Sequence, residues 1–414
     1  MTRDVRMRGF GERTSVLAAL AVLEARVGLL DAELVPLAAA AGRVAAEDVA
    51  ARASVPHFTR AAMDGYALAS ASVPTASADR PVELPVRGDS MPGRPFAGVL
   101  GAGEAVRITT GAPFPAGADA VLMAEYADEI ERDGVRVLRA RAPVAPGKHV
   151  GGVGEDVLAG TIVVARGRRL RPQDLGVLAS TGVAEILTVR RPTVRVVITG
   201  DELLPPGSFP SGPFIVDSNS LMLEALARRD GAATVTVVRS VDRRPAVRDA
   251  VASASEDVVL ISGGSSVGPE DHAPLVLAEV GELAVHGLAM RPAGPAGFGF
   301  LGQDRRRPAF LLPGNPVSCL CAYEFFAGPS IRALGGLPRA WPHARRRCQL
   351  AAPIASTIGR TDYVRVKLEG DRVIPIATSG ASILSSTTRA DGVVIVAEDD
   401  PGPAEGAWVE VVLY

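Results

Sequence analysis

Apolar positions first recur at helical spacing over residues 14–30, where Leu17, Leu20, Leu23 and Val27 form one stripe and Thr14 or Ser15 can cap the helix. A second, shorter helix and an exit strand are expected over 31–55. From Pro56 to about Pro146 the period changes. Short apolar runs at 82–86, 105–108, 120–124 and 135–138 are separated by glycine and proline, with Asp133-Gly134 as a hairpin signal. This reads as a β-rich insertion domain at 56–147. Residues 148–191 carry two strand-like pieces around a helix that opens near Pro172–Asp174. They are expected to rejoin the N-terminal residues, so that 1–55 and 148–191 make one discontinuous helical/β linker domain.

Over 192–336 nearly continuous apolar strands ("TVRVVITG", "AATVTVV", "DVVLISGG") alternate with amphipathic helices, among them "SNSLMLEALARRDG", with a Ser/Asn start and Gly231 past its end. "ELAVHGLAM" and "RPAFLLPGNP" read as further strands, and "PVSCLCAYEFF" as a helix opened by proline. Alternating strand and helix predicts a doubly wound parallel sheet, with ligands at the carboxyl ends of the strands. Residues 337–414 hold five short strands divided by turns, the pattern of a small C-terminal β-barrel. The fold class is therefore multidomain α/β.

Composition narrows the function. The 414 residues are 47% hydrophobic and carry a net charge of −2, which gives ample core and no polyanion-binding surface, so nucleic acid is not expected as a partner. Of the 44 basic residues only Lys148 and Lys367 are lysine, so Schiff-base chemistry has almost no candidates. Cys319, Cys321 and Cys348 lack paired metal-ligand spacing, which fits a reducing compartment. With no signal-peptide pattern and no run of about 18 apolar residues, a soluble, cytoplasmic protein away from membranes is expected.

Three loops leave strand ends on the α/β sheet. "ISGGSSVGPEDH" sets Gly263, Gly264, Ser265, Ser266 and Gly268 between a strand and a helix, so that amides can approach an anion closely. Asp271 follows, either as a helix cap or as a carboxylate for a Mg²⁺ ion bridging to phosphate. "LLPGNPVSC" repeats the logic with Pro313, Gly314, Asn315, Pro316 and Ser318, and "TGDELLPPG" offers Asp201 and Glu202. Together they favour a phosphate-bearing ligand. Neither a P-loop nor a dinucleotide fingerprint is present, and there is no H-E-x-x-H or G-x-S-x-G. His57 and His272 lie near the motifs.

These loops, with "PHFTRAAMDGYAL" (56–68), "RITTGAPFPAGADAVLMAE" (107–125) and "GEDVLAGT" (154–161), resemble in order and interval the MoeA family of molybdopterin molybdenumtransferases, to which the E domain of gephyrin is similar. The resemblance spans nearly the whole chain. It implies a MogA-like domain at 192–336, an elongated homodimer, and insertion of molybdate into adenylated molybdopterin with release of AMP. Mg²⁺ is the implied ion. A MogA-type adenylyltransferase and molybdoenzyme apoproteins are the implied further partners. By motif, Asp64, Asp156, Glu202 and Asp271 correspond to the acidic active-site residues, with Asp64 and Asp271 toward the metal. Thr110 and the loops at 263–268 and 313–318 would hold the substrate. Arg291, Pro295, Arg365 and Ser382 would hold molybdate, Arg365 from across the dimer.

Some positions depart from the family pattern. "KPGKP" reads "RPAGP" (291–295), so its second lysine is Gly294. A lysine just upstream aligns with Gly287 and an arginine before "GED" with Gly151; "DN" before the "MDGY" motif is Thr59-Arg60. Arg243 replaces one of two aspartates, with Asp242 adjacent, and Ala381 replaces a serine beside Ser382. Several of these losses are cationic or hydroxyl groups of the implied oxyanion pocket. The readings that stay open are an active transferase, a catalytically weak paralogue that carries molybdopterin or finished cofactor, and a MogA-like adenylyltransferase. Arginines such as Arg60, Arg168 or Arg389 reaching the pocket would favour the first.

Overall fold

The computed structural model describes residues 10, 12–266, 268, 271–377 and 380–414. Of the glycine-rich loop, Val267, Pro269 and Glu270 lie outside the described residues, as do Ser379 of "SGASILSS" and most of the charged N-terminal stretch. The chain forms two compact units, one of residues 1–33 with 189–414 and one of residues 34–188.

The larger unit is built on a six-stranded sheet in the order Thr234–Ser240, Thr193–Thr199, Val258–Ser262, Arg307–Leu312, Gly297–Leu301, Gly281–His286. Alternation of side chains across each strand loads both faces. Val194, Val196 and Ile198 pack with Leu223 and Ala227 of helix Asn219–Arg229. Val197, Val259 and Ile261 pack on the other face with Val247, Val251, Val276 and Leu277. The first four strands pair in parallel, whereas Gly297–Leu301 runs antiparallel to both of its neighbours, so that only this strand is reversed. The expected strand "ELAVHGLAM" is thus two pieces, Gly281–His286 in this sheet and Met290–Arg291 elsewhere.

The N-terminal helix is Val16–Arg26, capped by Ser15, whose hydroxyl accepts from Ala18 N at 3.2 Å. Its buried face is Val16, Ala19 and Leu23, continued by Val27, and it packs into the core of the α/β sheet rather than against 148–191. Leu17, expected on the stripe, is 69% exposed. The buried line begins at Val16, one residue and about 100° from Leu17, while Leu20 lies at its edge and packs against the core.

At the C-terminus five strands close on themselves, since Thr361–Glu369 pairs with both Arg372–Ala377 and Gly392–Val396. The ring encloses Cys348, Leu350, Val364, Val366, Val394 and Val411. The Met290–Arg291 strand joins outside the ring, parallel to Thr361–Asp362. That pairing fixes where Arg291 stands.

The smaller unit holds a six-stranded sheet in the order Ala120–Met123, Gly65–Leu68, Ala105–Ile108, Val82–Ser90, Val135–Ala140, Ala127–Arg132. The hairpin at Asp133-Gly134 has positive φ at both residues (52° and 75°), as that dipeptide allows. Residues 31–55 contain strand Ala32–Pro36 and a short 3₁₀ turn, Leu37–Ala39, in place of the expected helix. Val35, Ala40 and Ala45 share a small core with Val164, Leu170, Leu178 and Ile186 of the 148–191 segment. Its helix, Pro172–Ser180, opens with proline, and Asp174 accepts from Arg171 N.

Candidate active site

A cavity of about 720 Å³ opens at the carboxyl ends of the parallel strands of the larger unit. The structure brings Glu202, Gly263, Gly264, Ser265, Ser266, Gly268, Asp271, Pro295, Pro313, Gly314, Asn315 and Ser382 to its walls, together with Asp242. Twelve of the residues expected from motifs thus share one crevice.

Gly263 and Gly264 have φ of 98° and 56°. A Cβ at Gly263 would stand 2.3 Å from the Thr199 carbonyl oxygen, so only glycine allows this approach of loop to neighbouring strand. The amides of Gly264, Ser265 and Ser266 donate to no described residue. Successive amides in such a turn form a concave anion cradle. Asp271 does not cap helix Ala273–Val280, which has no side-chain cap; its carboxylate accepts from Gly268 N and closes the loop. His286 Nε2 lies 2.9 Å from the Ser265 carbonyl and braces the turn from behind. Burial holds the His286 imidazole below its usual value of 6.5, so the neutral ring donates to that carbonyl.

The second loop is held by the 381 backbone. Helix Pro316–Ala322 offers no open N-terminus, because Val317 N and Ser318 N both donate to the Ala381 carbonyl (3.0 and 3.4 Å). Ser318 is buried, and its hydroxyl accepts from Ala293 N at 3.3 Å. That bond positions the 291–295 turn, and Ser318 also lines an adjoining crevice. The residue whose hydroxyl the family pattern loses at 381 therefore still contributes through its backbone.

Residues that motif reasoning passed over complete the crevice. Asn219, read as a helix start, turns its amide inward and donates to Ser262 Oγ (2.9 Å) and Gly314 O (2.8 Å). Asp217 caps that helix instead, accepting from Ser220 N at 2.9 Å. Asn219 Oδ1 and Thr199 Oγ1 are buried without a partner among the described residues. Two orphaned polar atoms on one wall suit a polar ligand. Asp201 and Asp242 exchange carboxylate-to-amide hydrogen bonds of 3.3 and 3.1 Å, which ties two acidic loops together.

A second crevice of about 390 Å³ adjoins the first and shares Pro295, Pro313 and Asn315 with it. Arg13, Arg291 and Arg360 line it, along with Gly294, Ser318 and Ala381. Behind it the fully buried Asp362 accepts from Arg291 Nη2 (2.9 Å), Arg360 Nε (2.9 Å) and Ser356 Oγ (2.9 Å). Arg365 lines neither crevice. Its side chain is fully buried within the subunit. Alternation along Thr361–Glu369 turns Val364 and Val366 into the ring and residue 365 to its outer face, near Cys321 and Tyr414.

Within the smaller unit, Asp64 is exposed and accepts from Thr110 N (2.6 Å) and Thr110 Oγ1 (2.9 Å). These bonds, the backbone one first, hold its carboxyl below the usual range. Thr110 thus spends its hydroxyl on Asp64. Asp156 is exposed on a loop tied by its amide to the Val55 carbonyl at 3.0 Å. Ala62 N donates to His149 O and Gly111 N to Ala61 O, so the loops of all three motifs are knitted together. Gly65 is required, since a Cβ there would stand 1.9 Å from the Leu122 carbonyl oxygen. Arg60 lies over Gly151, its Cγ 3.4 Å from where a Cβ would sit. Arg168 pairs with Asp174 at 2.9 Å, and Arg389 bonds the Ser385 carbonyl; neither lines a crevice.

A strand-end amide cradle with carboxylates at its rim defines a site for a phosphorylated ligand. The chain matches three family descriptions in succession: the MoeA N-terminal region (domain I and II) over 14–182, a probable molybdopterin binding domain over 195–333, and the MoeA C-terminal region (domain IV) over 347–414. It is 36% identical to molybdopterin molybdenumtransferase 2 of Mycobacterium tuberculosis, over 91% of this chain and 94% of that protein. Identity to the molybdopterin molybdenumtransferase of Haemophilus influenzae is 31%, over 92% and 93%. A molybdopterin biosynthesis MoeA protein from Pyrococcus horikoshii superposes with a TM-score of 0.82 at 33% identity, covering 97% of this chain and 99% of that one. The chain belongs to the MoeA family.

Proposed function

We propose that this chain is a molybdopterin molybdenumtransferase, which inserts molybdate into adenylated molybdopterin and releases AMP. One observation carries the reading beyond family membership. The amide cradle at 264–266 and the arginine-lined crevice share a wall at Pro295, Pro313 and Asn315, so a phosphate end and an oxyanion end lie side by side. The cradle amides would receive the phosphoanhydride oxygens, and Asn219 and Thr199 would take polar atoms of the ligand. Guanidiniums in the second crevice would hold the oxyanion.

Mg²⁺ fits this site as an ion brought in with phosphate. Among the described residues no group of three or more His, Cys, Asp or Glu is placed to hold a metal alone. Magnesium is usually bound by one or two carboxylates plus substrate phosphates, and it would neutralise the phosphoanhydride there. Asp271 keeps one carboxylate oxygen clear of the Gly268 bond for that task, and Glu202 stands on the same rim. Asp64 and Asp156 are assigned a parallel acidic role on their motifs, Asp64 held ionised by Thr110.

Purified protein given adenylated molybdopterin, Mg²⁺ and molybdate should release AMP in step with molybdate. Absence of AMP at saturating molybdate would reject the transferase and leave the carrier reading. AMP formed from ATP without molybdate would point to an adenylyltransferase instead. We also propose a homodimer, checked by light scattering in solution, and a reducing, cytoplasmic setting. Three buried free thiols, Cys319, Cys321 and Cys348, suit the latter. Among the described residues no helix is long and apolar enough to cross a membrane.

A further inference from the structure

Gly287 and Gly294, the two positions where the family pattern has lysine, lie beneath one N-terminal segment. A Cβ at Gly287 would stand 2.4 Å from the Phe10 ring, and a Cβ at Gly294 would stand 3.4 Å from Arg13 Nη1. Phe10 occupies the space that a side chain at 287 would need, and Arg13 lies where one at 294 would extend. That segment is fixed by backbone pairing. Thr14 N donates to Gly287 O (3.0 Å), Ala289 N donates to Thr14 O (2.8 Å), and Thr14 bridges Leu288 in parallel register. The Phe10 ring meets His286 edge to face at 4.9 Å.

The outcome is a guanidinium delivered to the mouth of the second crevice beside those of Arg291 and Arg360. Asp362 bonds those two arginines, whereas Arg13 makes no ion pair with a described residue. Arg291 Nε is buried without a hydrogen-bond partner among the described residues. Three guanidiniums against one buried carboxylate leave a net charge of about +2, which complements a tetrahedral dianion. A planar fork also suits paired oxygens better than a point charge does.

We propose that Arg13 is an oxyanion-binding residue of this crevice, supplying from the N-terminal segment the cation that position 294 lacks. The inference rests on the transferase reading for the identity of the anion as molybdate. It assigns molybdate affinity to a residue outside every motif of the chain. It also accounts for glycine at 287, where a Cβ would meet the Phe10 ring, and sets Arg13 in contact with position 294.

The test is equilibrium dialysis of the full chain against molybdate alone, with metal analysis, for the unaltered protein, Arg13→Ala, Arg13→Lys and Arg13→Ala combined with Gly294→Lys. AMP binding by calorimetry reports on the cradle in the same samples, and thermal melts confirm folding. Molybdate affinity should fall about tenfold in Arg13→Ala, recover partly in Arg13→Lys, and return to within about threefold in the double variant. AMP affinity should not change. Unchanged molybdate affinity in Arg13→Ala, or no molybdate binding by the unaltered chain, would overturn the inference. AMP release from adenylated molybdopterin is scored separately. A chain that turns over with Arg13→Ala unaffected sinks only the role of Arg13. A chain that releases no AMP but loses molybdate affinity on Arg13→Ala sinks only the transferase reading.

Discussion

The two adjoining crevices are built from different parts of the chain. The cradle presents backbone, with three amides held by Gly263, Gly264 and the Asp271 tie to Gly268. The second crevice presents side chains, with guanidiniums from residues 13, 291 and 360 assembled around Asp362. A backbone site is fixed by local conformation and tolerates almost any change except one that forbids the turn. A side-chain site depends on partners far apart in sequence, and its members can be exchanged so long as the charge arrives. This difference would let a cation be supplied from elsewhere in the chain, as proposed for Arg13, while the glycine loop stays unaltered.

The sharpest way to break the comparison is Gly263→Ala. Contact at 2.3 Å with Thr199 O and a φ of 98° should cost about 3 kcal/mol locally, roughly a hundredfold in turnover. AMP release and AMP binding should fall together, while molybdate dialysis stays near normal. Asp271→Ala should lower turnover by about as much or somewhat less, with the melting transition moved by less than about 1 kcal/mol, as it sits on a loop. Equal damage to molybdate binding and AMP binding in either variant would mean the crevices are one site. Asp362→Asn attacks the other side. It leaves two guanidiniums facing a neutral amide, and denaturant melts should show a loss of about 2 kcal/mol, with AMP affinity retained.

The smallest expected effect is a pH dependence. His286 titrates below 6.5 when folded, because burial outweighs the Ser265 carbonyl and the Asp271 charge. From about pH 6.5 downward the unfolded chain takes up this proton first, so the contribution is complete above that pH and shrinks on acidification toward the folded value. Melts compared between about pH 8 and 5.5 should show His286→Gln less acid-sensitive than the unaltered protein, by under about 1 kcal/mol. An identical pH slope would remove His286 as the brace of the cradle.

Most of the cradle was legible because its information is local: an apolar strand, a run of glycine and serine, then an acid. The parallel strands were legible for the same reason. Strand Gly297–Leu301 was not, because Gly297 and Gly299 weaken any strand pattern. Cβ atoms there would meet Val285 O at 2.4 Å and Glu282 O at 1.8 Å, so the glycines are demanded by a neighbouring strand that local reading does not see. Arg13, Arg360 and Asp362 escaped for a related cause. Nothing near them in sequence marks them, and only the pairing of Met290–Arg291 with Thr361–Asp362 and of Thr14 with Leu288 gathers them. Arg365 illustrates the converse, a motif match whose side chain is buried between the ring and the α/β sheet, near Cys321 and Tyr414.

The Met290–Arg291 strand lies against the outside of the C-terminal ring while its neighbours on either side run back into the α/β sheet. Loss of residues beyond 343 would therefore strip Arg360 and Asp362 away and leave Arg291 with no rail to lie on, although every cradle residue but Ser382 would survive. The C-terminal ring thus supplies part of the guanidinium crevice, and shortening the chain from that end should cost oxyanion binding, as proposed, before it costs binding at the amide cradle.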